Sequence, residues 1–201
     1  MIADRDFFVK ELAEGDFADD IFADGQDLYL EIGSGKGEFI SRYPISHPSW
    51  NFIGMEMSEK RIRVCLKKLS VEQNPNVRLI RKKADAGIAQ LFRPESLSGV
   101  FIQHPDPWPK RRHHRRRLIQ QDFLTALAGI MKPEARVQIS TDHTDYAAWI
   151  VAEFAQNPHF LCLQDNPIQG HGNLDEHVVT WFEEEQRRQG YPPNFMLYKR
   201  I

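Results

Sequence analysis

Leu28-Tyr29-Leu30-Glu31-Ile32 runs directly into Gly33-Ser34-Gly35-Lys36-Gly37, a strand-length apolar run that stops at three glycines in alternate positions. Glycine takes positive φ at no steric cost and lets the backbone approach a ligand closely, so this junction reads as a binding turn between a first strand and a helix. Apolar runs at 51–57, 77–80 and 99–103 read as three more strands. Between them, residues 58–73 carry Ile62, Leu66 and Leu69 at helical spacing with Lys and Arg on the other face, and 86–92 form a shorter helix. Strand and helix alternating in this way imply parallel pairing. Helices at 118–130 and 146–156 and strands at 136–140 and 160–163 continue the pattern. A polar helix at 175–189 leads to a last strand at 194–201, which suits an antiparallel hairpin on a parallel sheet. The expectation is an α/β fold: a mostly parallel seven-stranded sheet, helices on both faces, and a C-terminal antiparallel strand.

The 201 residues fit one domain, 1–201, and 41% hydrophobic residues suffice for a core. No run approaches the roughly 18 apolar residues that a spanning helix needs. Asp4, Asp6 and Glu11 interrupt the start, where a secretion signal would need a basic end and an apolar stretch, so a soluble cytoplasmic protein is expected. Cys65 and Cys162 stand far apart without a C-x-x-C partner and read as small apolar thiols. The net charge of −2 hides an uneven distribution. Six of the 26 Lys and Arg residues fall in the eight positions 110–117, leaving 20 bases against 28 acids, or −8, elsewhere. A mildly acidic body with one dense basic cluster points to local docking of a polyanion, with a solvated helix face as the alternative.

Three nucleotide-binding loops can be compared with the glycine turn. A phosphate loop needs Ser or Thr after Gly-Lys, whereas Gly37 follows Gly35-Lys36. A dinucleotide loop needs a third glycine where Glu38 stands, and that charge would oppose a pyrophosphate at the helix start. A ligand with an adenosine and no phosphate fits better, because Glu31 and Glu38 can pair with an ammonium or lie near a sulfonium; S-adenosylmethionine is such a ligand. Glu56, about 20 residues beyond the glycines at the end of the second strand, is placed to accept from both ribose hydroxyls. Asp85, after the third strand, either accepts from an adenine amino group or caps the helix that follows.

After the fourth strand comes His104-Pro105-Asp106-Pro107-Trp108-Pro109-Lys110, in which prolines at alternate positions fix φ and constrain each preceding residue. At the carboxyl end of a parallel sheet this stiff loop would hold Asp106 and Trp108 beside the glycine turn. Helical spacing through 110–117 would pair Arg111 with Arg115 and Arg112 with Arg116 as phosphate clasps. His113 and His114 lack partners at metal-binding spacing, and no metal is assigned.

Taken together the chain resembles the bacterial-type tRNA (guanine-N7-)-methyltransferases, in the Rossmann-like class I of S-adenosylmethionine-dependent methyltransferases. The resemblance rests on Glu31-Ile-Gly-Ser-Gly-Lys-Gly37, Asn51-Phe-Ile-Gly-Met-Glu56, Pro105-Asp-Pro-Trp-Pro-Lys-Arg-Arg-His113 with Arg115-Arg-Arg-Leu118, Ser140-Thr-Asp142 and Thr180-Trp-Phe-Glu183. It implies that Glu31, Glu56, Asp85 and Asp106 contact the methyl donor, beside the turn glycines Gly33, Gly35 and Gly37 that the loop reading already places there. It implies likewise that Lys110, Asp142, Thr180 and Glu183 contact the tRNA or its target guanine, beside the clasp that the spacing gives to Arg112 and Arg116. The chain departs from the family at Gln103-His104, where Asn-Phe is usual, at Phe182, where Tyr is usual, and in an acid-rich first twenty residues where a basic arm is frequent.

Guanine N7 has an in-plane lone pair and no proton, so the transfer needs no general base, and positioning is the main task. Methylation leaves a positive charge on the purine, which Asp106 and Asp142 are expected to stabilise as catalytic carboxylates. Trp108 and Phe182 are the candidates to stack on an exposed base, with core packing as the alternative for both and an N-cap for Asp142. Rival readings are a methyltransferase acting on a protein or small molecule, and a non-catalytic RNA-binding protein with this fold. A nicotinamide dehydrogenase is opposed by Glu38. A monomer or a homodimer is expected.

Overall fold

The computed structural model describes residues 3–170 and 177–201. The chain opens with α1 (Ala3–Phe8) and β1 (Val9–Lys10), then β2 (Asp27–Ile32), α2 (Glu38–Arg42), β3 (Trp50–Met55), α3 (Glu59–Cys65), β4 (Val77–Ile80) and β5 (Leu97–Gln103). It continues with α4 (Gln121–Ile130), β6 (Met131–Thr141), α5 (Thr144–Gln156), β7 (Phe160–Cys162), α6 (Trp181–Arg188) and β8 (Asn194–Arg200). One sheet of eight strands has the order β1-β4-β3-β2-β5-β6-β8-β7. All pairings are parallel except those of β8 with β6 and β7. From β2 the chain moves outward to one side through β3 and β4, then returns to lay β5 and β6 on the other. The carboxyl ends of β2 and β5 therefore border the crevice where such sheets bind ligands.

Successive strand residues feed opposite faces. Leu28, Leu30, Ile32, Val100, Ile102, Val137 and Ile139 join a core with Phe123, Leu127 and Ile150 of α4 and α5. Tyr29, Phe52 and Phe101 join the other core, with Phe8, Phe39 and Ile62 of α1, α2 and α3. Apolar residues on both faces are what a sheet covered on both sides requires.

Several expectations need correction. The sheet has eight strands rather than seven, because the two-residue β1, too short to carry a periodic pattern, adds to the edge at β4. The helix expected over 58–73 ends at Cys65 and tightens into a 3-10 turn over Leu66–Lys68; that expected over 86–92 is a 3-10 helix, Ala86–Gln90. The helix expected from 118 starts at Gln121. The basic segment is also a 3-10 helix, Arg111–Arg116. With three residues per turn, residues three apart superpose, so the expected four-apart pairs Arg111/Arg115 and Arg112/Arg116 do not stack, whereas Arg112 and Arg115 share a ridge. The helix expected over 175–189 is α6, which begins at Trp181; positions 175 and 176 lie outside the described residues. Among the described residues no helix is long and apolar enough to cross a membrane.

Candidate active site

At the carboxyl end of β2 the chain turns through Gly33, Gly35 and Gly37 with φ of 77°, 56° and 78°, all in the left-handed region. The amides of Gly33 and Ser34 both donate to Met55 O at the end of β3, at 2.8 and 3.1 Å, which ties the turn to the neighbouring strand. Gly37 has a packing reason as well, since a Cβ there would stand 2.2 Å from Cys65 Sγ of α3. Glu56 follows β3 and is buried. Its carboxylate accepts from Gly35 N at 3.1 Å and Ser58 N at 2.8 Å, and Arg61 lies 3.6 Å away. Glu56 thus shapes the glycine turn from behind.

A cavity of about 330 Å³ opens over this turn. One wall is Glu31, Gly33, Ser34, Gly35 and Lys36; the opposite wall is Gln103, His104, Pro105, Asp106 and Pro107, with Asp142 beyond β6. Thr180, Trp181 and Phe182 at the start of α6 form the third side. The expected meeting of the glycine turn and the proline loop around one space is therefore observed. Trp108 itself does not line it. With φ of 41° it turns to pack edge-on against His113, at 5.8 Å between ring centroids, and under the Arg116 guanidinium at 5.0 Å.

α6 reaches this position by contacts that no local pattern foretells. The Trp181 amide donates to the Glu38 carboxylate, Lys36 Nζ lies 4.6 Å from the Trp181 ring centroid, and Phe182 meets His104 edge-on at 4.9 Å. Glu38 is also bound by Lys68 at 3.0 Å. Burial alone would push its carboxyl up, but the Trp181 amide and Lys68 hold it below the ordinary range.

The remaining expected residues fall into four sets. Lys110, Arg112 and Arg116 are exposed beside the proline loop. Asp85 is exposed, accepts from Gly87 N at 2.9 Å as an N-cap and pairs with Lys83 at 3.0 Å, so the structure places it as a cap and not in the cavity wall. Glu183 is buried, and its carboxylate is taken by His177 Nε2 at 2.9 Å and Arg187 Nη2 at 2.8 Å. Burial raises its proton affinity, but those two partners outweigh it and hold the carboxyl low. Its own amide donates to Thr180 Oγ1 at 3.2 Å, so Thr180 and Glu183 together start α6. Asp142 lines the cavity, held low by the hydrogen bond from His104 Nδ1 at 3.3 Å; the α5 cap is instead His143, which accepts from Tyr146 N. Gln103 and His104, met in the sequence as departures from the family, Lys36, met only as part of the glycine turn, and Arg61, with no spacing signal of its own, also line the cavity.

Glu31 is the electrostatic centre of the cavity. It is fully buried, and burial first, then the nearby Glu56 carboxylate, push its carboxyl from the ordinary 4.5 up to about 8. Oε1 receives a 3.4 Å hydrogen bond from Gln103 Nε2, while among the described residues Oε2 has no hydrogen-bond partner, and the Ile40 backbone offsets only part of the rise. In the folded protein the proton therefore stays on to about pH 8, while the unfolded chain releases it near 4.5. Stability from this group is complete below 4.5 and is lost as pH rises through about 8. We expect the melting temperature of the free protein to fall across that window and Glu31→Gln to flatten the fall. A cation entering the cavity would favour the ionised form, so cationic-ligand binding should release a proton at pH 7. Calorimetry in two buffers of different ionisation enthalpy reads this directly; equal proton release by Glu31→Gln would assign it elsewhere.

Residues 25–193 match the family described as "Putative methyltransferase". A tRNA (guanine-N(7)-)-methyltransferase of Lacticaseibacillus casei is 41% identical over 172 residues, 84% of this chain and 78% of that one. Another, of Nitrosomonas europaea, is 39% identical over 182 residues, 90% of this chain and 80% of that one. Among solved structures, a 16S rRNA (adenine(1408)-N(1))-methyltransferase from Catenulisporales acidiphilia with cosubstrate SAM superposes with a TM-score of 0.58 at 19% identity. It covers 89% of this chain and 87% of that chain, a likeness of fold.

Proposed function

The chain belongs to the tRNA (guanine-N(7)-)-methyltransferase family, and from that premise we propose that methyl donor and target guanine meet in the cavity between the glycine turn, the proline loop and α6. The activity is transfer of a methyl group from S-adenosylmethionine to N7 of a guanine in tRNA, giving 7-methylguanosine. The observation that carries the site assignment is the one cavity lined by Glu31 and Gly35 on one side and by Asp106, Asp142 and Thr180 on the other.

The donor lies along Glu31, Gly33 and Gly35, with its ammonium against Glu31 Oε2, which has no hydrogen-bond partner among the described residues; Glu56, the expected ribose acceptor, is held behind the glycine turn by the bond from Gly35 N and supports the donor site from there. The buried carboxylate pair suits a cationic ligand and opposes a phosphate. The guanine enters from the Asp142 and Thr180 side. Asp106 and Asp142 stabilise the charge that moves from sulfur to the purine during transfer. Lys110, Arg112 and Arg116 hold tRNA phosphates beside the mouth. Phe182, half-exposed over the cavity, is better placed than Trp108 to stack on the base. We assign no metal, a single domain and a cytoplasmic setting, as monomer or homodimer.

Purified protein incubated with labelled S-adenosylmethionine and unmodified tRNA should yield 7-methylguanosine on nucleoside analysis. Donor binding without any methylated nucleoside, or methylation at another atom, would overturn the assignment.

A further inference from the structure

His104 stands immediately after β5 with φ of 48°, a left-handed backbone that residues with a β-carbon seldom take. Its amide donates to Ser140 O at 2.9 Å, which pins the turn to β6 at the cavity wall. The side chain is 8% exposed and its Nδ1 lies 3.3 Å from Asp142 Oδ1. Nε2 is buried and, among the described residues, has no hydrogen-bond partner. Asp142 is an acceptor only, being held ionised, so in the neutral imidazole it takes the proton on Nδ1 and leaves a lone pair on Nε2. A buried acceptor without a donor is costly, and here it belongs to a residue lining the space between Asp142 and Phe182.

We propose that His104 reads the target guanine, with Nε2 accepting its N1–H. The inference rests on the reading above that the base enters beside Asp142. Adenine presents a lone pair at N1, which would face the lone pair of Nε2, so the contact separates the two purines. As N7 acquires the methyl group the purine becomes cationic and N1–H a stronger donor. The contact is therefore tighter in the transition state than in the bound substrate, and its loss falls mainly on kcat.

The test uses two tRNAs, with guanosine or 1-methylguanosine at the modified position, and three proteins: wild type, His104→Ala and His104→Asn. Asn keeps a donor towards Asp142 but has nothing in place of Nε2. On the guanosine tRNA both variants should lose about tenfold in kcat, while affinity for S-adenosylmethionine and the melting temperature stay at wild-type values. The 1-methyl group removes the donor and meets the imidazole, so it should slow wild type about tenfold or more; in His104→Ala, which has neither contact nor obstruction, the further loss should stay below about twofold. Wild-type kcat in His104→Asn would mean that His104 acts only through Asp142, and would overturn the proposal. So would an equal 1-methyl penalty in wild type and His104→Ala. Failure of wild type to make 7-methylguanosine from the guanosine tRNA would instead sink the underlying site assignment, and this inference with it.

Discussion

Asp106→Asn is expected to lower kcat/KM for tRNA methylation about 100-fold or more, a loss of roughly 2.7 kcal/mol of transition-state stabilisation. Transfer moves one positive charge from the donor sulfur to the purine, so the total charge in the cavity is unchanged and only its position shifts. A fixed carboxylate accelerates such a step in proportion to how much nearer it lies to the purine than to the sulfur. Asp106 is held by Pro105 and Pro107 in a loop whose backbone has little freedom to rearrange, so its charge need not reorganise as the reaction proceeds. Asn has nearly the same shape, and the loss therefore reports charge and not packing. Steady-state rates should be measured with donor affinity alongside: a fall concentrated in kcat places the carboxylate on the purine side, a fall concentrated in donor affinity on the sulfur side. Asp85→Asn provides the comparison, since Asp85 caps a 3-10 helix outside the cavity and its loss should leave the rate within about twofold. A rate within about threefold of wild type for Asp106→Asn would remove Asp106 from the mechanism.

Asp106 and Asp85 differ in how far their neighbours in sequence decide where they stand. The glycine turn was legible because only glycine takes φ of 56–78° cheaply, and the four strands that build the crevice were legible because their apolar runs are continuous. The place of Asp106 in the cavity wall was legible for a related reason: the prolines on both sides of it narrow the local conformation. Asp85 could be a ligand or a cap by type and position alike, and only the tertiary placement decides. Glu183 shares this fate, because nothing in its neighbourhood in sequence shows that His177 and Arg187 close around it. The position of α6 rests on the Trp181 amide and Glu38, which are 143 residues apart, a separation at which periodicity carries no information. β1 escaped because two residues cannot display a period.

Arg116 and Arg117 make the same point most sharply, and they carry the second large prediction. Both belong to one basic run, yet Arg116 is exposed over Trp108 while Arg117 is 4% exposed. Its Nε donates to Pro107 O at 2.9 Å, and its guanidinium lies 5.0 Å from the Tyr146 ring and 4.9 Å from that of Trp149. Burial pulls its proton affinity down, the mark of a cation kept from water. Arg117 is therefore the anchor that fixes the proline loop to α5, and five bases, not six, are left to meet phosphates. Arg117→Leu leaves the Pro107 carbonyl without its donor and two aromatic faces without their cation, so it should cost about 2–4 kcal/mol of stability. Because the freed loop carries Asp106, the methylation rate should fall at least tenfold even at temperatures where the variant is folded. Charge reversal of the exposed pair, Arg112→Glu with Arg116→Glu, should do the opposite. tRNA affinity should fall about 100-fold at low salt, with a shallower salt dependence, while donor affinity and unfolding midpoint stay near wild type. Denaturant unfolding, calorimetric donor titration and filter binding across a salt series separate the two outcomes. If Arg117→Leu weakened tRNA binding without lowering stability, its guanidinium would be a phosphate ligand after all, and the proline loop would owe its rigidity to its prolines alone.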